Sequence, residues 1–388
     1  MEKILYIVDD INYNSGAKAV TLFQMRQLVN EYDIYLFSLT CPLEKIDFLK
    51  DDHILDDYIW HITEIYAESF KKAMKSKKYS IAQKLSRILY AASLRFGAGD
   101  LYFNHLIEKR LIPIFEKFET VVVVSEASKL RVLVSNLKHP KKVQWIHTDY
   151  ARWSQFSEWS KAVTKNDLTI YSKYNAVAVL SEFCKQGLIE KIPSIANIIT
   201  VIPNLIDGDR IISLAQKTTE IVVDESKLNL VTVARIDCEK RIDKALELAE
   251  ELKKKKIMFR WYIIGDGPER EILVKQCRER NLTEQVVFVG YQRNPYPIMA
   301  KCQILILLSK YEGTPVTVDE AMVLGIGIIA PNVGGIQEQT IEYEDAFLFQ
   351  KDGEILEAIC AHDTILKKQA VNYHELNQAR SNLIKKIL

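Results

Sequence analysis

Glu312 and Glu320 stand eight residues apart on either side of a helix start, and the stretch they bracket is the most informative in this sequence. It follows an apolar run at 304–308. Gly313 permits close backbone approach, Thr314 is a helix-capping type, Pro315 suits a first helical position, and Gly325 ends the helix about three turns later. A helix that starts at the carboxyl edge of a parallel sheet aims free N–H groups at an anion. The same spacing also fits a surface helix with two solvated glutamates. His147 closes the apolar run 143–146, and Asp149 lies two residues on. Both sit at a strand's carboxyl end, although a structural histidine fits that place equally. Residues 69–99 carry eight cations (Lys71, Lys72, Lys75, Lys77, Lys78, Lys84, Arg87, Arg95) and no Asp or Glu, interleaved with Phe70, Met74, Tyr79, Ile81, Leu85, Ile88 and Leu89. Such a basic amphipathic segment reads as membrane-surface binding, with a solvated helical face packed on the fold as the alternative.

These residues need elements to hold them. Short β-branched runs at 3–8, 34–39, 121–125, 143–146, 176–180 and 199–202 form one series, and 228–233, 260–264, 286–289, 304–308 and 327–330 a second. Most are apolar throughout, as strands covered on both faces by helices are. Amphipathic segments such as 241–256 and 269–280 lie between them. Two series of strand–helix alternation predict an α/β protein of two parallel-sheet, Rossmann-like domains with a ligand cleft at the sheets' carboxyl ends. We place the first domain at 1–207, a linker at 208–227, the second domain at 228–370, and a helix at 371–388 that could return to the first domain.

Length agrees, since 388 residues exceed the ~250–300 at which single cores stop growing. Fifty-two Lys and Arg against 51 Asp and Glu leave a net charge of +1, so nothing global points to nucleic acid. Six cysteines form no CxxC pair, which writes neither a disulfide framework nor a zinc knot. The apolar run 321–330 falls short of the ~17–25 residues of a membrane helix. The run 4–8 lacks the order of a signal peptide, so the expected place is the cytoplasm. Neither GxxxxGK[ST] nor HExxH occurs, and Gly265-Asp-Gly267-Pro-Glu-Arg270 lacks the third glycine of a dinucleotide fingerprint. ATPase, zinc protease and dehydrogenase readings fall away.

Glu312 to Glu320, with Gly313-x-Pro315 between and Glu320-Ala-Met-x-x-Gly325 after, resembles the E-x7-E signature of the retaining GT-B glycosyltransferases of family 4 (glycosyl transferases group 1). Val233-Ala-Arg235-Ile-x-x-x-Lys240, Gly265-Asp-Gly267-Pro268, Phe288-Val-Gly290 and Val333-Gly334-Gly335-Ile-x-Glu338 resemble further segments in the family's order, and Ile202-Pro203-Asn204-x-Ile-Asp207 resembles its I-P-N-G-V-D. The likeness is strong over 228–338 and weak before. Departures are Arg241 and Leu205 in place of glycines and Gly327 in place of a proline.

The resemblance implies a GT-B fold and a nucleotide-sugar donor gripped by the second domain. It implies that Arg235 and Lys240 bind the diphosphate, Glu320 the ribose hydroxyls, and Glu312 the donor sugar. Backbone N–H groups of Gly313, Thr314, Pro315's neighbours and Val316 would meet sugar or phosphate, beside the Gly265–Gly267 turn. Gly16 stands where the family often has a glycine pair, and His147 or Asp149 would face the reacting sugar and acceptor. The expected activity is retaining transfer, without cofactor or metal, from a UDP-sugar to a lipid-linked or polysaccharide acceptor of cell-surface glycan synthesis. Contact through Lys71, Lys72, Lys75, Lys77 and Lys78 with an anionic membrane's inner face would fit. Asp207-Gly208-Asp209 has the D-x-D form that holds a metal in GT-A enzymes, but it falls in the interdomain turn. A catalytically silent GT-B subunit and a transferase acting on a small soluble acceptor are the alternatives. The oligomeric state is not written in the sequence.

Overall fold

The computed structural model describes residues 1–11, 15–38, 45–55, 69–95, 108–128, 130–361 and 370–388, without the side chains of 90 and 93–95. Asn14 of the first strand–helix turn, the Arg95 side chain and the end of the basic stretch at 96–99 lie outside the described residues. Two all-parallel sheets form. The first comprises β1 (Lys3–Val8), β2 (Asp33–Ser38), β3 (Ile54–Leu55), β4 (Thr120–Val123), β5 (Lys141–Ile146), β6 (Ala176–Val179) and β7 (Ile199–Val201), in the order β3-β2-β1-β4-β5-β6-β7. The second comprises β8 (Leu228–Val233), β9 (Phe259–Ile264), β10 (Val286–Gly290), β11 (Ile304–Ile306), β12 (Gly327–Pro331) and β13 (Ala346–Phe349), in the order β10-β9-β8-β11-β12-β13.

Central strands are buried at every residue: β4 reads TVVV, β6 AVAV and β12 GIIAP. Each sheet therefore has two apolar faces, one centred on Leu5, Val121 and Val177 and its opposite on Ile4, Val122 and Ala178 in the first domain. Leu230, Trp261 and Ile306 against Val231, Tyr262 and Leu305 repeat the pattern in the second. In both sheets the strand order reverses direction, between β1 and β4 and between β8 and β11. A crevice must open at such points beyond the strands' carboxyl ends.

The crossing between domains is more structured than its sequence suggests. Gly208–Ala215, inside the stretch read as linker, is a helix whose Ile211 packs with Ile206 and Val323. The terminal helix Tyr373–Ile387 returns to the first domain, where Ile384, Ile387 and Leu388 join Ile4 and Tyr6 in one core. Thr120 Oγ1 donates to the carbonyl of Leu388 at 3.1 Å.

Candidate active site

The loop leaving β8 carries Arg235 to Lys240, and the loop leaving β11 carries Glu312; both open at the second sheet's switch point. Asp237 organises the first loop. Its Oδ1 accepts from the backbone N–H groups of Glu239 (3.1 Å) and Lys240 (3.3 Å), while Oδ2 receives the Arg235 Nε–H. Glu239 lies 3.7 Å from the Arg235 guanidinium. Lys240 Nζ donates to Glu312 Oε1 at 2.6 Å, so a cation of one loop meets a carboxylate of the next. Arg241 then takes a left-handed backbone (φ 52°), which explains the family's glycine there; its guanidinium forks onto Asp352 at 3.3 and 2.6 Å.

The helix after Glu312 runs Val316–Leu324 and ends on Gly325 at φ 65°. Pro315 is the extended cap residue, one position earlier than expected of it, because the Thr314 side chain is engaged elsewhere: Asn204 Nδ2 donates to its Oγ1 at 3.2 Å from the first domain. Glu320 Oε1 accepts from the Tyr296 hydroxyl at 2.8 Å. Burial raises the Glu320 carboxyl to about 7, opposed by that hydrogen bond and aided by Asp319. Asp319 itself, wholly enclosed, is raised to about 6 by burial.

The first domain approaches closely. A Cβ on Gly16 would stand 2.8 Å from Val316 Cγ2, and one on Gly313 would stand 2.6 Å from the His147 carbonyl. Burial lowers the His147 imidazole to about 4, so it is neutral at pH 7, and its buried Nε2 has no hydrogen-bond partner among the described residues. Asp149 is buried, with Oδ1 accepting from the Arg152 N–H at 3.3 Å as the cap of helix Tyr150–Phe156.

Glycines set these loops against each other. Gly265 (φ 142°) and Gly267 back onto the Arg235 loop, where added Cβ atoms would fall 1.9 Å from the Ala234 carbonyl and 2.3 Å from that of Ile236. Gly334 (φ 61°) would place a Cβ 1.7 Å from the Glu312 carbonyl. Glu338, on the short helix Ile336–Gln339 that follows Gly334, crosses to the first domain and accepts from the N–H groups of Glu182 and Phe183 at 2.7 and 2.8 Å.

Elsewhere, Asp209 Oδ1 accepts from the Tyr373 hydroxyl at 2.9 Å, and Gly208 packs on the Tyr373 ring, so Asp207-Gly208-Asp209 belongs to the interdomain crossing. Among the described residues no group of three or more His, Cys, Asp or Glu is placed to hold a metal. Lys71, Lys72 and Lys75 are exposed on helix Phe70–Lys75, Lys77 and Lys78 are exposed just after it, and the next helix begins at Ile81.

Residues 216–385 match the sequence profile described as Glycosyl transferases group 1. That stretch of the chain is similar to this family. The chain is 26% identical over 260 residues, 65% of its own length, to a poly(ribitol-phosphate) alpha-N-acetylglucosaminyltransferase of Staphylococcus aureus, and 33% identical over 89 residues, 23% of its length, to the Vi polysaccharide biosynthesis protein VipC/TviE of Salmonella typhi. These matches span 49% and 15% of those relatives' lengths. Among solved structures, Anabaena HepE in complex with UDP and glucose superposes with TM-score 0.68 at 15% identity, covering 99% of this chain and 97% of that one. The fold of this chain is GT-B.

Sequence reasoning did not single out Asp237 or Tyr296, and it quoted Glu338 in a family segment without its contact to the first domain. An aspartate two positions after Arg235 in a turn was the available signal for the first, since Asp caps local backbone N–H groups. Tyr296 and Glu338 meet their partners only through tertiary contact, 24 and 156 residues away in the chain.

Proposed function

We propose that this chain is a retaining glycosyltransferase that moves a sugar from a nucleoside diphosphate, a UDP-sugar in the first instance, to a hydroxyl acceptor. The observation that carries the reading is the Lys240–Glu312 contact just before helix Val316–Leu324 at the switch point of the second sheet, with Arg235 on the Lys240 loop and the His147 backbone packed against Gly313. Breaking the sugar–phosphate bond leaves extra negative charge on the diphosphate. A guanidinium, an ammonium and oriented N–H groups stabilise that charge as it develops, with no divalent ion required. Lys240 turns from Glu312 to the diphosphate when donor arrives. The ionised Glu320 accepts the ribose hydroxyl hydrogens. The neutral His147 imidazole hydrogen-bonds a hydroxyl of the donor sugar or acceptor through its unpartnered nitrogen. The acceptor attacks on the face the leaving group departs from, and the leaving phosphate oxygen takes the acceptor's proton, which retains the anomeric configuration.

The acceptor is a lipid-linked or polysaccharide intermediate. Its membrane side is supported by the helix Ile81–Arg95, which exposes Ile81, Leu85, Ile88 and Leu89 on one face beside the lysines at 71, 72, 75, 77 and 78. Each cation near an anionic bilayer contributes about 1 kcal/mol. Proton NMR of the product formed from UDP-sugars tests the central reading: a product with the donor's anomeric configuration supports it, and inversion overturns it. Donor hydrolysis without acceptor distinguishes an enzyme from a silent subunit.

A further inference from the structure

The rim of the crevice on the acceptor side carries an aromatic cluster in which Trp153 packs on the first domain's core while the rings beside it extend outward. Trp153 and Trp159 meet edge to face at 6.0 Å between ring centroids. Phe156 meets Tyr311 of the opposite domain at 5.6 Å. Phe156 is 47% and Trp159 57% exposed. Exposing rings of this size is unfavourable, and a clustered apolar patch marks an interaction site.

Its position narrows the partner. Trp153 and Phe156 lie on helix Tyr150–Phe156, which Asp149 caps directly after His147, and Trp159 lies on the next helix, Glu158–Thr164. Tyr311 immediately precedes Glu312, and its hydroxyl is hydrogen-bonded to Glu239, the carboxylate beside Arg235. Arg152 Nη1 donates to the Lys310 carbonyl at 3.2 Å, tying the two sides of the patch together. The cluster is thus continuous with the catalytic crevice and opens outward from its first-domain wall. A pyranose ring presents C–H groups on its faces and hydroxyls around its edge, so a flat aromatic with polar neighbours complements it. Ser157 and Arg152 supply such neighbours.

We propose that Phe156, Trp159 and Tyr311 form an acceptor subsite that stacks the pyranose rings of a glycan chain. The inference rests on the transferase reading for its role, but the binding it asserts is measured separately. Saturation-transfer NMR on the full chain uses maltotetraose, cellotetraose and triacetylchitotriose as probes, with Trp159→Ala, Trp159→Phe and Phe156→Ala as variants and far-UV circular dichroism confirming their fold. At least one oligosaccharide should receive saturation on its ring C–H protons. Trp159→Ala and Phe156→Ala should each weaken that sugar roughly two- to tenfold, the range expected for one aromatic contact, and Trp159→Phe should weaken it less. The subsite is refuted if none of the three sugars binds, or if the alanine variants bind as the parent does. It is equally refuted if Trp159→Ala leaves sugar binding intact and abolishes only co-sedimentation with phosphatidylglycerol vesicles, since the ring would then be an interfacial membrane anchor. UDP-induced thermal shift, measured in parallel, reports the donor side alone. A missing UDP shift with intact sugar binding would overturn the transferase reading and spare the subsite.

Discussion

Lys240 Nζ lies 2.6 Å from Glu312 Oε1, joining the loop after β8 to the loop after β11 across the point where the sheet reverses its strand order. The ammonium and the carboxylate hold each other in place between the two loops. Lys240→Ala should lower the transfer rate about a hundred- to thousandfold, the usual loss for one donor that stabilises developing charge. Melting temperature should fall as well, because the change leaves the largely buried Glu312 carboxylate, 11% exposed, without its cation. Initial rates with saturating donor check the first expectation, and rates equal to the parent's would remove Lys240 from the site.

Burial of the adjacent acids Asp319 and Glu320 makes the crevice pH-sensitive. Both carboxyls are raised, to about 6 and about 7, so the folded chain holds these protons more tightly than the unfolded chain does. Their stabilising contribution is full below the ordinary carboxylate range and is lost as pH rises through about 6 to 7. The ligand-free chain should therefore melt at a lower temperature near pH 8 than near pH 5 by an amount that Glu320→Gln reduces. UDP affinity should move the other way, strengthening as Glu320 ionises and becomes a full acceptor for ribose hydroxyls. Calorimetric titration at several pH values measures this. An affinity independent of pH in the parent would refute the assignment.

The legible parts of the molecule were those where one physical cause dominates. Strands covered on both faces must be apolar throughout, so β4, β6, β8 and β12 announce themselves. The site loops follow because ligands gather at carboxyl ends of parallel strands. Elements with weaker causes were silent. β3 is two residues long, β13 (AFLF) is only partly buried, and helix Gly208–Ala215 has a narrow apolar face that docks on Val323 of the other domain. Thr314 shows a different limit. Its type suits a helix cap, and only the tertiary bond from Asn204 assigns its hydroxyl. Asp149, weighed as an acceptor-side group, has its Oδ1 engaged at a local helix start, which no pattern in the sequence distinguishes from a free carboxylate.

Arg241 offers a direct measure of backbone strain. A non-glycine residue at φ 52° costs roughly 1–2 kcal/mol, and the fork onto Asp352 offsets part of it. Arg241→Gly removes both the strain and the ion pair, so its unfolding free energy should stay within about 1 kcal/mol of the parent's. Arg241→Ala keeps the strain and loses the pair. It should be less stable than the glycine variant by roughly 1 kcal/mol. Urea unfolding of the three proteins compares them, and an alanine variant as stable as the glycine variant would show that this backbone is not strained.

Glu338 binds the two domains together through a helix end. Its carboxylate accepts from the N–H groups of Glu182 and Phe183, at the start of a first-domain helix whose own cap, Ser181, accepts from Cys184. Gly335 packs so tightly on Ser181 that an added Cβ would lie 2.6 Å from its hydroxyl oxygen. The same loop backs onto Glu312 through Gly334, so one segment touches both the first domain and Glu312. Removing the carboxylate in Glu338→Ala should weaken the closed arrangement by about 1–2 kcal/mol, the value of a helix cap strengthened by charge. X-ray scattering should then report a larger radius of gyration for the variant. The specificity constant kcat/KM should fall about tenfold, with UDP narrowing the difference in scattering as it draws the domains together. Identical scattering curves for parent and variant would mean that closure is held elsewhere, by Asn204 and Thr314 or by the terminal helix.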